Sequence, residues 1–150
     1  MHLAAFPSSA EADLVERLRG DFDSVISLAA EQSGEIVGHI MLSRMNVSGG
    51  GRAWRALGLG PVAVLPGAQG GGAGSELIRG ALGIAKATGE ELVFVLGEPD
   101  YYRRFGFRAE TAAPFASPYS GPFLMALALT DRPLPESGTA EYAPAFGALG

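Results

Sequence analysis

The sequence predicts an α+β domain, a mixed α/β arrangement with one central mixed β-sheet flanked by helices, and three observations carry that prediction. A hairpin pattern runs from Ser24 to Leu42. An apolar strand ending at Leu65 leads through a glycine-rich turn into an amphipathic helix and then into a second apolar strand, Leu92 to Leu96, which is a βαβ unit. A last apolar strand, Phe123 to Leu129, follows a short helix. Hairpins pair antiparallel and a βαβ unit pairs parallel, so the sheet is expected to be mixed.

Each element has a local reason. Ser8 with Glu11 forms a capping box, and Leu14, Val15 and Leu18 follow at helical spacing until Gly20, which suits a helix C-terminus. Ser24 to Ala30 carries Val25, Ile26 and Leu28. Gln32-Ser33-Gly34 then turns the chain into Ile36, Val37, His39, Ile40 and Leu42. Asn46 to Arg52, with three consecutive glycines, reads as a loose loop, and Leu57 to Leu65 resumes extended character until Pro66-Gly67. From Gly74, residues Leu77, Ile78, Ala81, Leu82, Ile84 and Ala85 mark an amphipathic helix, closed by Lys86 and Gly89. Leu92 to Leu96 is apolar throughout, as a central strand covered on both faces should be. Pro99 suits the first position of a short helix running to Phe105 and ended by Gly106, with Glu98 and Asp100 read as its caps in preference to acceptors of an amine proton through water. After Thr130 the chain reads as a looser, Pro-containing tail.

Composition narrows the function classes. One domain over all 150 residues, with 47% hydrophobic residues, is the expectation. A formal net charge of −5 provides no broad basic field for nucleic acid or an anionic membrane. With no cysteine and only His2 and His39 as imidazoles, a metal centre is not expected. Met1 to Phe6 has neither a basic nor a long apolar character, and no apolar run reaches spanning length, which reads as a cytoplasmic protein.

Chemistry concentrates in Pro66-Gly67-Ala68-Gln69-Gly70-Gly71-Gly72-Ala73-Gly74, in a chain with 22 glycines. A helix N-terminus presents unpaired N–H groups and the positive end of its dipole, and glycines let an anion come close to that backbone. The P-loop pattern fails, because Gly72 is followed by Ala73-Gly74 and the first lysine is Lys86. The G-x-G-x-x-G pattern also fails, because Ser75 stands where a third glycine would be needed after Gly70 and Gly72. Taken alone, the turn fits a phosphate cradle and a plain strand-to-helix connection equally well.

Gln69-Gly70-Gly71-Gly72-Ala73-Gly74 matches Q-x-x-G-x-G, and with it the chain resembles the GCN5-related N-acetyltransferase (GNAT) family. The resemblance takes in Leu59-Gly60-Pro61-Val62-Ala63-Val64-Leu65-Pro66, the strand Glu91 to Gly97, and Tyr101-Tyr102-Arg103-Arg104-Phe105-Gly106-Phe107, which is similar to that family's aromatic-Tyr-x-x-x-Gly-Phe segment. It covers roughly Ser24 to Leu129 and looks most like the small bacterial members, whose C-terminal segment Tyr142-Ala143-Pro144-Ala145-Phe146 also resembles.

The resemblance implies an acyl-coenzyme A N-acyltransferase fold and acetyl transfer from acetyl-coenzyme A to a primary amine, on a small molecule or a peptide, directly within a ternary complex and without a metal. It implies that Val62, Ala63 and Val64 receive the pantetheine as an added strand, and that Gln69, Gly70, Gly71, Gly72, Ala73, Gly74 and Ser75 bind the pyrophosphate. The strands ending at Leu65 and Leu96 would splay apart, with a backbone N–H near the gap for the oxyanion. Tyr102 takes the position of the general acid that protonates the leaving thiolate, the plainer reading being a packed aromatic with Tyr101 exposed instead. His39 reads as a hydrogen-bonded sheet histidine, and Arg103 and Arg104 as a solvated face.

The chain departs from the family in two places. Gly71 stands where this branch often has arginine, and the chain reads as starting at the first helix, without the family's first strand. Ser24 to Ala30 would then be an exposed edge, covered in a homodimer or by a start further upstream. Two other readings stay open: an acyl-coenzyme A binding or sensing module without catalysis, and an interaction domain that binds no cofactor.

Overall fold

The computed structural model describes residues 2–4, 24–65 and 72–142. The helix expected over Ser8 to Gly20, the turn residues Gln69, Gly70 and Gly71, and the segment beyond Tyr142 lie outside the described residues. The elements are β1 (His2–Ala4), β2 (Ser24–Gln32), β3 (Glu35–Gly49), β4 (Arg52–Val64), α1 (Ala73–Ala87), β5 (Leu92–Leu96), α2 (Pro99–Tyr102) continued by a 3-10 turn (Arg103–Phe105), α3 (Ala109–Ala112), β6 (Phe115–Ala116), β7 (Leu124–Ala128) and β8 (Gly138–Glu141).

They form a mixed sheet in the order β1-β2-β3-β4-β5-β7, with β8 on the distal half of β3 and β6 on β8. β4 and β5 run parallel, from Ala56 opposite Leu92 to Leu59 opposite Val95, and β7 returns antiparallel on the other side of β5. β5 is therefore central, as its unbroken apolar run predicts. Val93 and Val95 enter one core layer with Leu57, Leu59, Phe107 and the α1 residues Leu77, Ile78, Ala81 and Ala85. Leu92 and Phe94 enter the opposite layer with Met45, Trp54, Phe115, Leu124 and Ala140. Burying a side chain such as Leu77 or Ile78 contributes about 2 kcal/mol. α1 ends where its sequence says it should: Thr88 Oγ1 and Thr88 N–H both donate to Ile84 O, and Glu90 N–H donates to Ala85 O across Gly89 at φ 86°.

Three expectations are corrected. Asn46 to Arg52 is not a loose loop. β3 and β4 continue through it as one long hairpin, with Gly50 and Gly51 at φ 65° and 80° in a two-residue turn of the kind that matches strand twist. Its polar residues Asn46 and Ser48 alternate with buried Met45 and Val47, which is the mark of a strand with one exposed face. The tail after Thr130 contains β8, whose Gly138-Thr139-Ala140-Glu141 has weak strand character and takes its form from the β3 edge it pairs with. The first strand is present. His2, Leu3 and Ala4 pair antiparallel with Glu31, Ala30 and Ala29, so β2 is not an edge. A strand of three residues is too short to show an alternation, and the case for a partner covering β2 goes with the correction.

The N-terminal end of β5 is closed by charge. Glu90, with its side chain 1% exposed, accepts a bidentate pair from Arg44 at 2.6 and 3.0 Å and a further bond from Arg55 at 2.8 Å. Glu91 accepts from Arg52 at 2.9 Å, Arg132 at 3.2 Å and the Arg55 N–H at 3.0 Å. The Arg52 guanidinium beside Glu91, helped by Arg55 N–H and Arg132, holds that carboxyl down at about 2.

Candidate functional site

The opposite end of the same two strands is open. β4 pairs with β5 only as far as Leu59 and Val95, yet stays on β3 through Val62 opposite Ile40, Ala63 opposite His39 and Val64 opposite Gly38. Between Leu59 and Val62, β4 holds one residue more than β3 does. This bulge falls on Gly60, at φ 141°, and Pro61, which has no N–H to offer. A bulge bends its strand, so β4 leaves β5 there and Val62, Ala63 and Val64 present a backbone edge to the gap.

The head of α1 lies beside that edge. Gly72 precedes the helix in a left-handed conformation, φ 87°, with nothing within 4 Å of where a Cβ would stand. Among the described residues the helical ladder begins with Glu76 N–H donating to Gly72 O at 3.0 Å, and the N–H groups of Ala73, Gly74 and Ser75 lie in the turn ahead of it. A Cβ on Gly74 would stand 3.2 Å from the Tyr101 hydroxyl and 3.7 Å from Val64 Cγ2. Helix, strand edge and tyrosine converge at that glycine.

Gly97 ends β5, donates to Phe123 O at 3.0 Å, and starts the turn into α2. Its missing side chain is what admits Tyr102: a Cβ on Gly97 would lie 2.5 Å from Tyr102 Cε2. The Tyr102 ring is also held edge-on by Tyr101 at 5.0 Å and Phe107 at 5.9 Å. Burial first, and then Tyr101, push the Tyr102 phenol above its ordinary value of 10.0, so it keeps its proton throughout the neutral range. On the other face of the sheet, the partly buried Tyr142 ring fills the notch at Gly58, 2.6 Å from where a Cβ would be. Burial, then Tyr119 and Tyr102, raise its phenol. Leu65, Leu96 and Phe123 remain exposed around the same end.

The structure thus brings together Val62, Ala63, Val64, Gly72, Ala73, Gly74, Ser75 and Tyr102. Glu98 and Asp100 do not act as expected. Glu98 sits at the N-cap of α2 without a side-chain capping bond, and Asp100 is fully solvated, 3.8 Å from Arg103. Arg104 lies over the Tyr101 ring at 4.5 Å rather than in solvent alone. His39 is buried in β3 opposite Ala63, and burial lowers its pKa, keeping the imidazole neutral. Sequence reasoning missed Gly97 and the hydroxyl of Tyr101. The one signal available for Gly97 was a glycine directly after an apolar strand and four residues before the first of two tyrosines.

A family model for the acetyltransferase (GNAT) domain matches residues 1–109. The chain belongs to the GNAT family. It is 41% identical over 105 residues to the uncharacterized N-acetyltransferase YjhQ of Escherichia coli strain K12, and 35% identical over 104 residues to YhbS of the same organism. Each alignment takes in 69% of this chain, but the chain spans only 58% and 61% of those relatives' length. Among solved structures, E. coli YhbS in complex with CoA superposes with a TM-score of 0.80 at 28% identity, covering 97% of this chain and 82% of that one. A GNAT family acetyltransferase from Brucella melitensis in complex with acetyl-CoA superposes with a TM-score of 0.73 at 35% identity, covering 95% and 82%. The mixed sheet with flanking helices is the GNAT fold.

Proposed function

We propose that this chain transfers an acetyl group from acetyl-coenzyme A to a primary amine. The observation that carries the reading is the coincidence, at one end of the sheet, of a β4 edge that has parted from β5, the N–H groups in the first turn of α1 and a protonated phenol beyond the end of β5. The solved relatives bound to CoA and acetyl-CoA support it.

In this reading Val62, Ala63 and Val64 pair with the pantetheine amides, which lays the thioester across the gap between β4 and β5. The N–H groups of Ala73, Gly74 and Ser75, with Gln69, Gly70 and Gly71, take the pyrophosphate. An amine entering from the far side of the gap attacks the thioester carbonyl. The C–N bond forms, the C–S bond breaks as the tetrahedral intermediate collapses, Tyr102 gives its proton to the departing thiolate, and the proton that the amine nitrogen loses passes through water to the tyrosinate and restores the phenol. Its raised pKa keeps the phenol protonated and so available at neutral pH. Because a thiol ordinarily titrates near 8.5, the transfer takes its driving force from the cost of a free thiolate in an apolar gap, which makes the sulfur more basic there. The acceptor is an amine on a small molecule or a peptide, without nucleic acid or membrane taking part, and the setting is cytoplasmic. The expected loss of the first strand lent some support to a binding module without catalysis, and β1 withdraws that support.

Calorimetric titration with acetyl-coenzyme A, with NAD and ATP as controls, tests the reading. Saturable binding of acetyl-coenzyme A alone is expected, followed by thiol release when a panel of amines is added. Absence of binding overturns it.

A further inference from the structure

The glycine-rich turn brings few side chains to the anion it is proposed to hold. From Gly70 to Ser75 the sequence is Gly-Gly-Gly-Ala-Gly-Ser, and the charged residue in the first turn of α1 is Glu76, of the wrong sign. Backbone N–H groups and the Ser75 hydroxyl therefore carry the site without a cation, which leaves room for a further side-chain donor from another element. Tyr101 is placed to be that donor. Its hydroxyl stands 3.2 Å from the Cβ position of Gly74, where the head of α1 meets Val64 at the end of β4. The ring that carries it is held on several sides, edge-on by Tyr102 at 5.0 Å and Phe105 at 5.5 Å, and under the Arg104 guanidinium at 4.5 Å, while Arg104 Nε donates to Tyr101 O at 3.3 Å. A ring fixed in this way presents its hydroxyl at one place, and a Cβ on Gly74 would crowd it there.

We propose that Tyr101 is a second, binding tyrosine, whose hydroxyl donates a hydrogen bond to a phosphate oxygen of the coenzyme A pyrophosphate at the head of α1. This rests on the acetyltransferase reading and deepens it: two adjacent tyrosines divide the work, Tyr101 holding the cofactor and Tyr102 supplying the proton. A hydroxyl donating to a charged oxygen is worth about tenfold in affinity.

The test is calorimetric titration of wild type and Tyr101→Phe with acetyl-coenzyme A, together with the melting temperature of both proteins without ligand and the phosphorus NMR spectrum of the bound cofactor. The expected result is a dissociation constant raised about tenfold, a shifted pyrophosphate resonance and an unchanged melting temperature. An unchanged dissociation constant overturns the proposal and leaves the acetyltransferase reading standing. A weaker constant accompanied by a lower melting temperature and an unmoved phosphorus resonance also overturns it, since the hydroxyl would then be structural. If wild type itself does not bind, the acetyltransferase reading has failed instead.

Discussion

β4 and β5 lie side by side with opposite treatment at their two ends. At the N-terminal end of β5, Glu90 and Glu91 tie together Arg44, Arg52, Arg55 and Arg132, which come from β3, β4 and the segment after β7, and backbone bonds run from Glu91 N–H to Arg55 O and from Leu129 N–H to Glu91 O. At the C-terminal end the strands separate at the Gly60-Pro61 bulge, Gly72 leaves backbone open, and Gly74 and Gly97 leave room that two tyrosines take up. One end is fastened by ions and the other is kept apart by missing side chains. A parallel pair anchored firmly at one end can hold a gap open at the other without the two strands zipping together, and an open gap held ready needs no rearrangement when a ligand enters.

The comparison can be broken at either end. The largest effect is expected at the fastened end. Glu90→Ala removes a buried carboxylate and its three guanidinium bonds from the partly exposed Arg44 and Arg55, and should lower unfolding free energy by about 3 kcal/mol in urea titration while the folded protein still binds acetyl-coenzyme A. Equal loss of stability and affinity would show that the two ends are not independent. Next comes Tyr102→Phe at the open end, which should slow transfer about a hundredfold with cofactor affinity nearly unchanged, since the ring still fills the notch at Gly97 and only the proton is lost. In wild type the alkaline fall in rate should lie above the ordinary tyrosine value, because burial raises this phenol. Unchanged turnover would remove Tyr102 as the acid.

The smallest effect concerns Glu91. Its folded pKa of about 2 lies below the ordinary 4.5, so its contribution to stability is complete above 4.5 and is lost as pH falls from there toward 2. Glu91→Gln should therefore be less stable than wild type at neutral pH, and the difference between the two melting temperatures should shrink through that acid window. A difference that stays constant with pH would mean that the carboxyl acts through packing rather than charge.

Much of this was legible along the chain, and for a common reason. β5 was found over Leu92–Leu96 and α1 within a residue of its start, because both are core elements whose apolar spacing repeats for long enough to be recognised. The glycine turn and the Tyr-x-x-x-Gly-Phe segment were legible as a resemblance. The hairpin through Asn46–Arg52 was misread because Asn46 and Ser48 look like loop residues until Met45 and Val47 are seen to share one buried face. β1 and β8 were missed because three or four residues of weak propensity become a strand only when a neighbour offers an edge. The carboxylates of Glu90 and Glu91 gave no hint that they would gather arginines 35 to 46 residues away in sequence.

By itself, then, the sequence determined the class of fold, the central strand, the helix behind the glycine turn and the family to which the chain belongs, all of which follow from local pattern and short-range motif. Only the tertiary structure decided that β4 parts from β5 at Gly60, that Tyr102 lies on Gly97 and the Tyr101 hydroxyl on Gly74, and that the far end is fastened by ion pairs. These are meetings between residues distant along the chain, and they depend on strand register and on where side chains are absent, which no single stretch of sequence specifies.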